Sequence, residues 1–345
     1  MKISEKVYRE ISYQVSKRNK PSIFNYWEFI NRRLYNRANY ICSNEFYGLE
    51  YILSRYSGYN KGIKCATEHG VAYEDVSNRF ETVDNNSGVL LTSSILRAKR
   101  LSGITKKIVI PVSVWTAYAK NIYSEYDIRA IKDTLGKVLV VFPQHSLASC
   151  KYVVDTERFI HYIKKIRDEY EYSTVLVCVY YWDIEHGLHI CYEREGFTVV
   201  TAGRQENYDF LDNLVTILSF ADAVISQGYS SAVLYAAYLG LPINIVYEDI
   251  NTFGAEESER VNSMGLGKGE MGLVEAFSCY SERYSDEQRK LINEVIDPNS
   301  FKTPEEMRLL LELSRELYYL PRESFQRVTE KKKYLPIRDY IYALE

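Results

Sequence analysis

Residues 223–247 read AVISQGYSSAVLYAAYLGLPINIVY: an apolar run, a glycine turn, two serines opening an apolar segment of helical period, and a second apolar run after Gly240 and Pro242. A buried strand, a helix and another buried strand in that order imply parallel pairing, because the crossover helix carries the chain back to the same end of the sheet. The helix is well punctuated. Hydroxyl residues stand at its start, Leu234 and Tyr238 fall one turn apart, and Gly240 and Pro242 stop it.

Outward from this unit the alternation repeats. KVLVVFP (137–143), TVLVCVYY (174–181) and FTVVTAG (197–203) read as buried strands, and TERFIHYIKKIRDEY (156–170) and FLDNLVTILSFA (210–221) as helices. Near-continuous apolar strands separated by helices predict a parallel sheet covered on both faces, that is, a Rossmann-like unit. Before it, GIKCATEHG (62–70), VLLTSS (89–94) and KKIVIPV (106–112) read as three further strands, behind Tyr-rich helical sequence from Glu5 to about Tyr56. After it, EEMRLLLELSRELYY (305–319) is strongly helical, with TPEE supplying the start. The expected organisation is an α/β chain of two Rossmann-like units facing across a cleft: an N-terminal unit with a helical extension over 1–135, a second over 136–300, and C-terminal helices over 301–345 packing back across both.

Composition narrows the function. The 345 residues are 46% hydrophobic and 26% charged, the makeup of a folded protein. Forty-three Lys and Arg against 46 Asp and Glu give a net charge of −3, which argues against nucleic acid as a partner. No apolar stretch reaches the roughly 18 to 20 residues of a membrane span, and the first 30 residues lack the apolar centre of a signal peptide. The expectation is a cytoplasmic protein, at most peripheral to the inner face of the membrane. Six cysteines form no CxxC pair and read as reduced thiols in the core, and most of the 32 tyrosines read as packing residues.

In an open parallel sheet, ligands bind beyond the C-terminal ends of the strands. Polar residues succeed every strand of the second unit: Gln144, His145 and Ser146; then Trp182 and Asp183; then Arg204; then Gln227, Gly228, Tyr229, Ser230 and Ser231; then Glu248. Ser230 and Ser231 at a helix start would present free N–H groups to an anion, and Gly228 would let the backbone approach it; Ser230 as a plain helix cap is the competing reading. In the first unit, Glu68 and His69 before Gly70 offer a carboxylate and an imidazole for deprotonating a hydroxyl.

Other motifs fail. GLGKGEMG (265–272) succeeds no strand and lacks Ser or Thr after Lys268, so it reads as a loop. DIEHGLH (183–189) lacks the HExxH order, and Asp183 with Glu185 forms a D-x-E within a unit already supplied with cationic groups, so no metal is expected. The absence of GxGxxG after a strand and of GxSxG removes the common dehydrogenase and hydrolase readings.

LGKVLVVFPQHS (135–146), VCVYYWDI (177–184), GFTVVTAGR (196–204) and the run 210–247, with ATEHG (66–70) and IPVSVWTAYAKN (110–121), resemble proteins encoded with bacterial capsule and O-antigen enzymes, polysaccharide-biosynthesis glycosyltransferases of the two-Rossmann GT-B type. The resemblance covers roughly residues 62–275. More distantly, 221–242 is similar to the donor-site segment of bacterial sialyltransferases, Kdo transferases and CDP-glycerol glycerophosphotransferases. It implies a metal-independent transferase without a cofactor. A nucleotide-activated sugar, with CMP one option for the base, would bind the second unit through His145, Ser146, Arg204, Gln227, Gly228, Tyr229, Ser230 and Ser231, with Asp183 and Glu248 orienting the sugar or nucleoside. A glycan or lipid-linked glycan acceptor would be deprotonated by Glu68 or His69. Those families commonly carry Pro after the histidine, where Ser146 stands here, and often His where Arg204 stands. The alternatives are CDP-polyol phosphotransfer on a similar fold and a non-catalytic glycan-binding or assembly subunit.

Overall fold

The computed structural model describes residues 21–32, 46–73, 87–146, 151–247, 251–253 and 267–320. In chain order the elements are α1 (Tyr26–Asn31), a 3₁₀ turn Phe46–Gly48, α2 (Leu49–Ser57), β1 (Ala66–Thr67), β2 (Val89–Thr92), α3 (Ile95–Ile104), β3 (Ile108–Pro111), a 3₁₀ turn Trp115–Ala117, α4 (Glu125–Leu135), β4 (Val138–Phe142) and β5 (Lys151–Val153). Then come α5 (Thr156–Glu169), β6 (Thr174–Cys178), α6 (Tyr181–Glu185), α7 (Ile190–Arg194), β7 (Thr198–Val200), α8 (Phe210–Leu218), β8 (Ala223–Gln227), α9 (Ser231–Tyr238), β9 (Ile243–Val246), β10 (Asn251–Phe253), α10 (Lys268–Ala276), α11 (Asp286–Ile296), a 3₁₀ turn Pro298–Ser300 and α12 (Pro304–Tyr319).

Two parallel sheets organise these elements. The first has the order β1-β2-β3, and the second β7-β6-β4-β8-β9. All pairings within both are parallel. A separate antiparallel ladder joins β5 and β10. In the second sheet the strand order reverses between β4 and β8, which opens a crevice at their C-terminal ends, where open α/β sheets take their ligands. The central strands are buried along their whole length because helices cover both faces; β4 is Val-Leu-Val-Val-Phe without an exposed residue.

Local signals account for the helix ends. Asp155 accepts from the Arg158 N–H at 2.9 Å to cap α5, and capping boxes Ser124/Asp127 and Thr303/Glu306 start α4 and α12. Two expectations are corrected. The strand read over 174–181 ends at Cys178, and Tyr181 begins α6; the aromatic side chains that extended the apolar run pack beside the strand end instead. The loop read over 265–272 is helical from Lys268, because Glu270 accepts from the Gly267 N–H and Leu273, Val274 and Phe277 are buried beneath it. Of the cysteines, Cys65 is buried but Cys279 is exposed, and Cys42 and Cys150 lie outside the described residues.

α1 and α12 each pack on the unit opposite to their place in sequence. Ile30 of α1 joins the core formed by Leu139, Val141 and Val177 of the second sheet, and Tyr26 donates to Glu193 at 3.1 Å. Conversely, α12 lies against α2, with Tyr56 donating to the Lys302 carbonyl at 2.9 Å and Arg315 to the Lys61 carbonyl at 2.8 Å. The segment linking the sheets docks on α8: Lys120 N–H bonds Asp212 at 2.9 Å and Ile122 N–H bonds Thr216 at 2.8 Å. Arg55 of α2 grips the same Asp212 with both amino groups, at 2.5 and 2.9 Å. One continuous hydrophobic cluster therefore runs through both units, from Leu91 and Ile110 to Val140 and Val224.

Candidate functional site

The C-terminal edges of the two sheets meet. After β1 the chain turns at Gly70 (φ +79°), and an added Cβ there would fall inside the Ser231 hydroxyl at the start of α9. Val71 N–H donates to Ser231 Oγ at 2.9 Å, and Tyr229 donates to the Val71 carbonyl at 3.3 Å. Ser230 is the N-cap of α9 by position, yet its side chain does not cap; its hydroxyl lies 3.3 Å from that of Ser226. The plain-cap reading of Ser230 is thus not the one the geometry takes up.

His69 stands beside this contact with one side open to solvent. Its Nε2 lies 2.9 Å from the Tyr47 hydroxyl, and its ring packs against Tyr47 at 5.0 Å and Phe46 at 5.6 Å. Surrounding protein holds its pKa below the usual histidine value, and the charge of His145 lowers it further. His145 is itself exposed, its ring 4.7 Å from that of Tyr180.

Glu68 is placed differently. Its carboxylate is 2% exposed, bonded to Arg97 Nε at 2.6 Å and Nη2 at 2.5 Å, and it accepts from Thr92 as well. Burial pushes its pKa up, against the pull of Arg97 and then of Thr92. The residue ties β1, β2 and α3 together, and its backbone carbonyl accepts from Trp115 Nε1 at 3.1 Å.

Other expected residues act on the scaffold of the crevice. Asp183 is buried and accepts from the Ser146 N–H at 3.2 Å, which fixes the loop carrying His145. Gln227 is buried and accepts from the Gln144 N–H at 3.3 Å. Gly228 (φ +84°) leaves space for Gln144, whose Oε1 would lie 2.7 Å from an added Cβ. Arg204 donates to the Ile30 carbonyl at 3.0 Å, pairs with Glu185 and lies over the Tyr181 ring at 4.5 Å, so its charge is largely matched within the protein. Glu248 lies outside the described residues. Among the described residues, no group of three or more His, Cys, Asp or Glu could hold a metal ion, and no helix is long and apolar enough to cross a membrane.

Three residues were missed in sequence. Tyr47 and Tyr180 flank the two histidines. Glu206 stands two positions after Arg204, in the loop after β7, and reading that strand end two residues further would have reached it. Tyr47, in a 3₁₀ turn with φ +60°, carries no local signal of its place.

These elements define an α/β protein of two parallel sheets whose C-terminal edges meet. No protein-family model matches the chain, and no curated protein matches it. Similar solved structures include UDP-GlcNAc 2-epimerase of Methanocaldococcus jannaschii in complex with UDP-GlcNAc and UDP, at 13% identity and a TM-score of 0.41, covering 73% of this chain and 68% of that one. S. aureus MnaA with UDP is similar at 11% identity and a TM-score of 0.42, over 76% and 72% of the two chains. Likeness of this extent assigns neither substrate nor chemistry to this chain.

Proposed function

We propose that the chain is a transferase that takes a sugar from a nucleotide-activated donor to a glycan hydroxyl in bacterial surface-polysaccharide assembly. The observation that carries this reading is the contact of the loop that carries His69 with the start of α9, where Val71 N–H donates to Ser231 Oγ at 2.9 Å beside the strand-order reversal. In the proposal, the unit up to residue 135 presents the acceptor and that over 136–300 holds the donor. His145, the backbone from Gly228 to Ser230 and the N–H groups of α9 receive the donor phosphate. Asp183 and Gln227 hold the loop of His145 through the Ser146 and Gln144 N–H groups, while Arg204 ties α1 to α6 through the Ile30 carbonyl and Glu185.

His69 is the better placed of the two candidate bases, because it faces the cleft and its lowered pKa keeps it neutral and able to accept a proton. As the acceptor oxygen bonds to the anomeric carbon, its proton passes to His69. The bond from that carbon to the phosphate oxygen breaks, and the electron pair leaves on the nucleotide phosphate. Positive dipole ends and His145 would stabilise that developing charge. No metal has a part in this scheme.

Thermal-shift and calorimetric titration with UDP, GDP, CMP, CDP and dTDP tests the reading. A nucleoside phosphate bound at 100 times its Kd should add about 2.7 kcal/mol to stability. Failure of all five to bind would overturn it.

A further inference from the structure

The 3₁₀ turn Phe46–Gly48 and α2 meet the loop after β7 through aromatic side chains, and the row they form ends at His69. The His69 ring packs against Phe46 at 5.6 Å and Tyr47 at 5.0 Å, and Tyr47 packs against Phe210 at 5.0 Å. Past Gly48 (φ +72°), where the Tyr208 carbonyl takes the space a side chain would need, the rings of Tyr51 and Tyr208 lie 4.6 Å apart. None of these rings is fully buried. Tyr51 is 37% exposed, His69 is exposed, and Phe46, Tyr47, Tyr208 and Phe210 each keep part of their surface in solvent. The backbone beneath them is pinned between the units, since Tyr47 N–H donates to the Gln205 carbonyl at 2.6 Å. Clustered rings open to water beside a polar group are the makings of a binding surface.

We propose that this aromatic row is the subsite for an uncharged sugar ring of the acceptor glycan, an inference that rests on the reading of His69 as the base. A base must touch the hydroxyl it deprotonates, so the sugar that carries this hydroxyl extends over the surface next to His69. That surface is aromatic. A pyranose presents C–H groups from its ring face and keeps its hydroxyls at the rim, which suits tyrosines that offer an apolar ring and a wet hydroxyl. Charge decides the class of sugar. The face of an aromatic ring is negative and repels a carboxylate or a phosphate. Arg55 lies over the Tyr51 ring at 5.2 Å, but both its amino groups are bonded to Asp212, so its charge is already matched. A neutral hexose meets neither obstacle, and an acidic sugar meets both.

Saturation-transfer NMR on the full chain tests this, with the methyl pyranosides of glucose, galactose, N-acetylglucosamine and rhamnose, and methyl glucuronoside as the charged counterpart. At least one neutral glycoside should receive saturation at its ring C–H protons, and the glucuronoside should bind more weakly. Tyr51→Ala and Phe46→Ala should each weaken the neutral glycoside about 2- to 10-fold, the range for one aromatic contact. Tyr51→Phe, which keeps the ring, should bind as the wild type does. Both alanine variants should keep the wild-type circular dichroism, which reports an intact fold. Unchanged glycoside affinity in both, tighter binding of the glucuronoside, or no glycoside bound by the wild type would overturn the proposal. Competition for the row by UDP, GDP, CMP, CDP or dTDP would overturn it too, because the rings would then hold the base of the donor. The two readings fail separately. Nucleotide binding without glycoside binding removes the row and spares the donor site; ring-dependent glycoside binding without any nucleotide supports the sugar surface and removes the transferase.

Discussion

The hydroxyl of Tyr47 lies 2.9 Å from Nε2 of His69, and the two residues belong to segments on opposite sides of α2. The bond fixes the imidazole in the cleft. Replacing His69 with Ala should lower turnover by about 10² or more and leave nucleotide affinity near that of wild type. Tyr47→Phe should have a smaller effect, since the ring packing on His69 and Phe210 survives. Because the folded protein holds the His69 pKa below 6.5, the acid limb of a kcat/KM profile should fall below pH 6.5 and vanish with the imidazole.

Glu68 and Arg97 should report on stability instead. Both side chains are 2% exposed, and removing one partner of a buried pair typically costs about 3 to 5 kcal/mol. Arg97→Met should shift denaturant unfolding by that amount, while the folded fraction keeps its nucleotide affinity. A loss of turnover without a loss of stability would make Glu68 a catalytic candidate again.

Gly70 and Ser231 form a close approach between the two units. Gly70→Ala combines a left-handed backbone with a collision against the Ser231 hydroxyl, and should cost more than about 1 kcal/mol in thermal or denaturant unfolding. The double change Gly70→Ala with Ser231→Gly should recover part of that cost, because the collision is removed while the backbone strain stays. Ser230→Leu should weaken nucleotide binding by covering the start of α9.

Metal removal should change little. Asp183 is engaged by Ser146 and Glu185 by Arg204, so the D-x-E pair is spent within the protein. Nucleotide binding and turnover should survive EDTA; a strict need for Mg²⁺ or Mn²⁺ would require those bonds to be remade around an ion.

A pH effect on stability should come from His189. It is 5% exposed, packed edge-on by Tyr26 at 5.2 Å and Trp27 at 6.4 Å, and its Nδ1 has no partner. Burial lowers its pKa, against the opposing pull of Glu193 and the Ile184 carbonyl. With the folded pKa below the unfolded value of 6.5, the unfolded chain binds the extra proton between the two. Its contribution is therefore full above the unfolded pKa and is lost as pH falls, by at most about 1.4 kcal/mol per pH unit. His189→Phe should flatten that slope in urea unfolding.

The second sheet was legible in sequence because its strands are buried on both faces and carry unbroken Val, Leu and Ile; the strand read at 137–143 lies within a residue of β4, and the apolar run that opens at Ala223 begins where β8 does. The first sheet was harder, since β1 holds only Ala66 and Thr67 in ladder geometry, and α3, α4 and α11 escaped a reading centred on strands. In the site, strand-end residues such as His69 and His145 could be found by position. Whether a polar group faces the cleft or the core could not, because it depends on partners far away in sequence: Arg97 lies 29 residues from the Glu68 it neutralises, and Ile30 lies 174 from the Arg204 it binds.

The exchange of chain ends between the units sets the order in which the molecule can be finished. Residues 46–111 leave the ribosome early, but α2 stays without the cover of α12 until Pro304–Tyr319 has been made. A unit synthesised early must then wait through the whole of the second sheet with an apolar face open, where units usually fold as they emerge. Stalling translation after residue 300 should leave the second sheet assembled and the first still soft to protease. α12 works as a closing clasp, and the maturation of the first unit waits for residues 304–319.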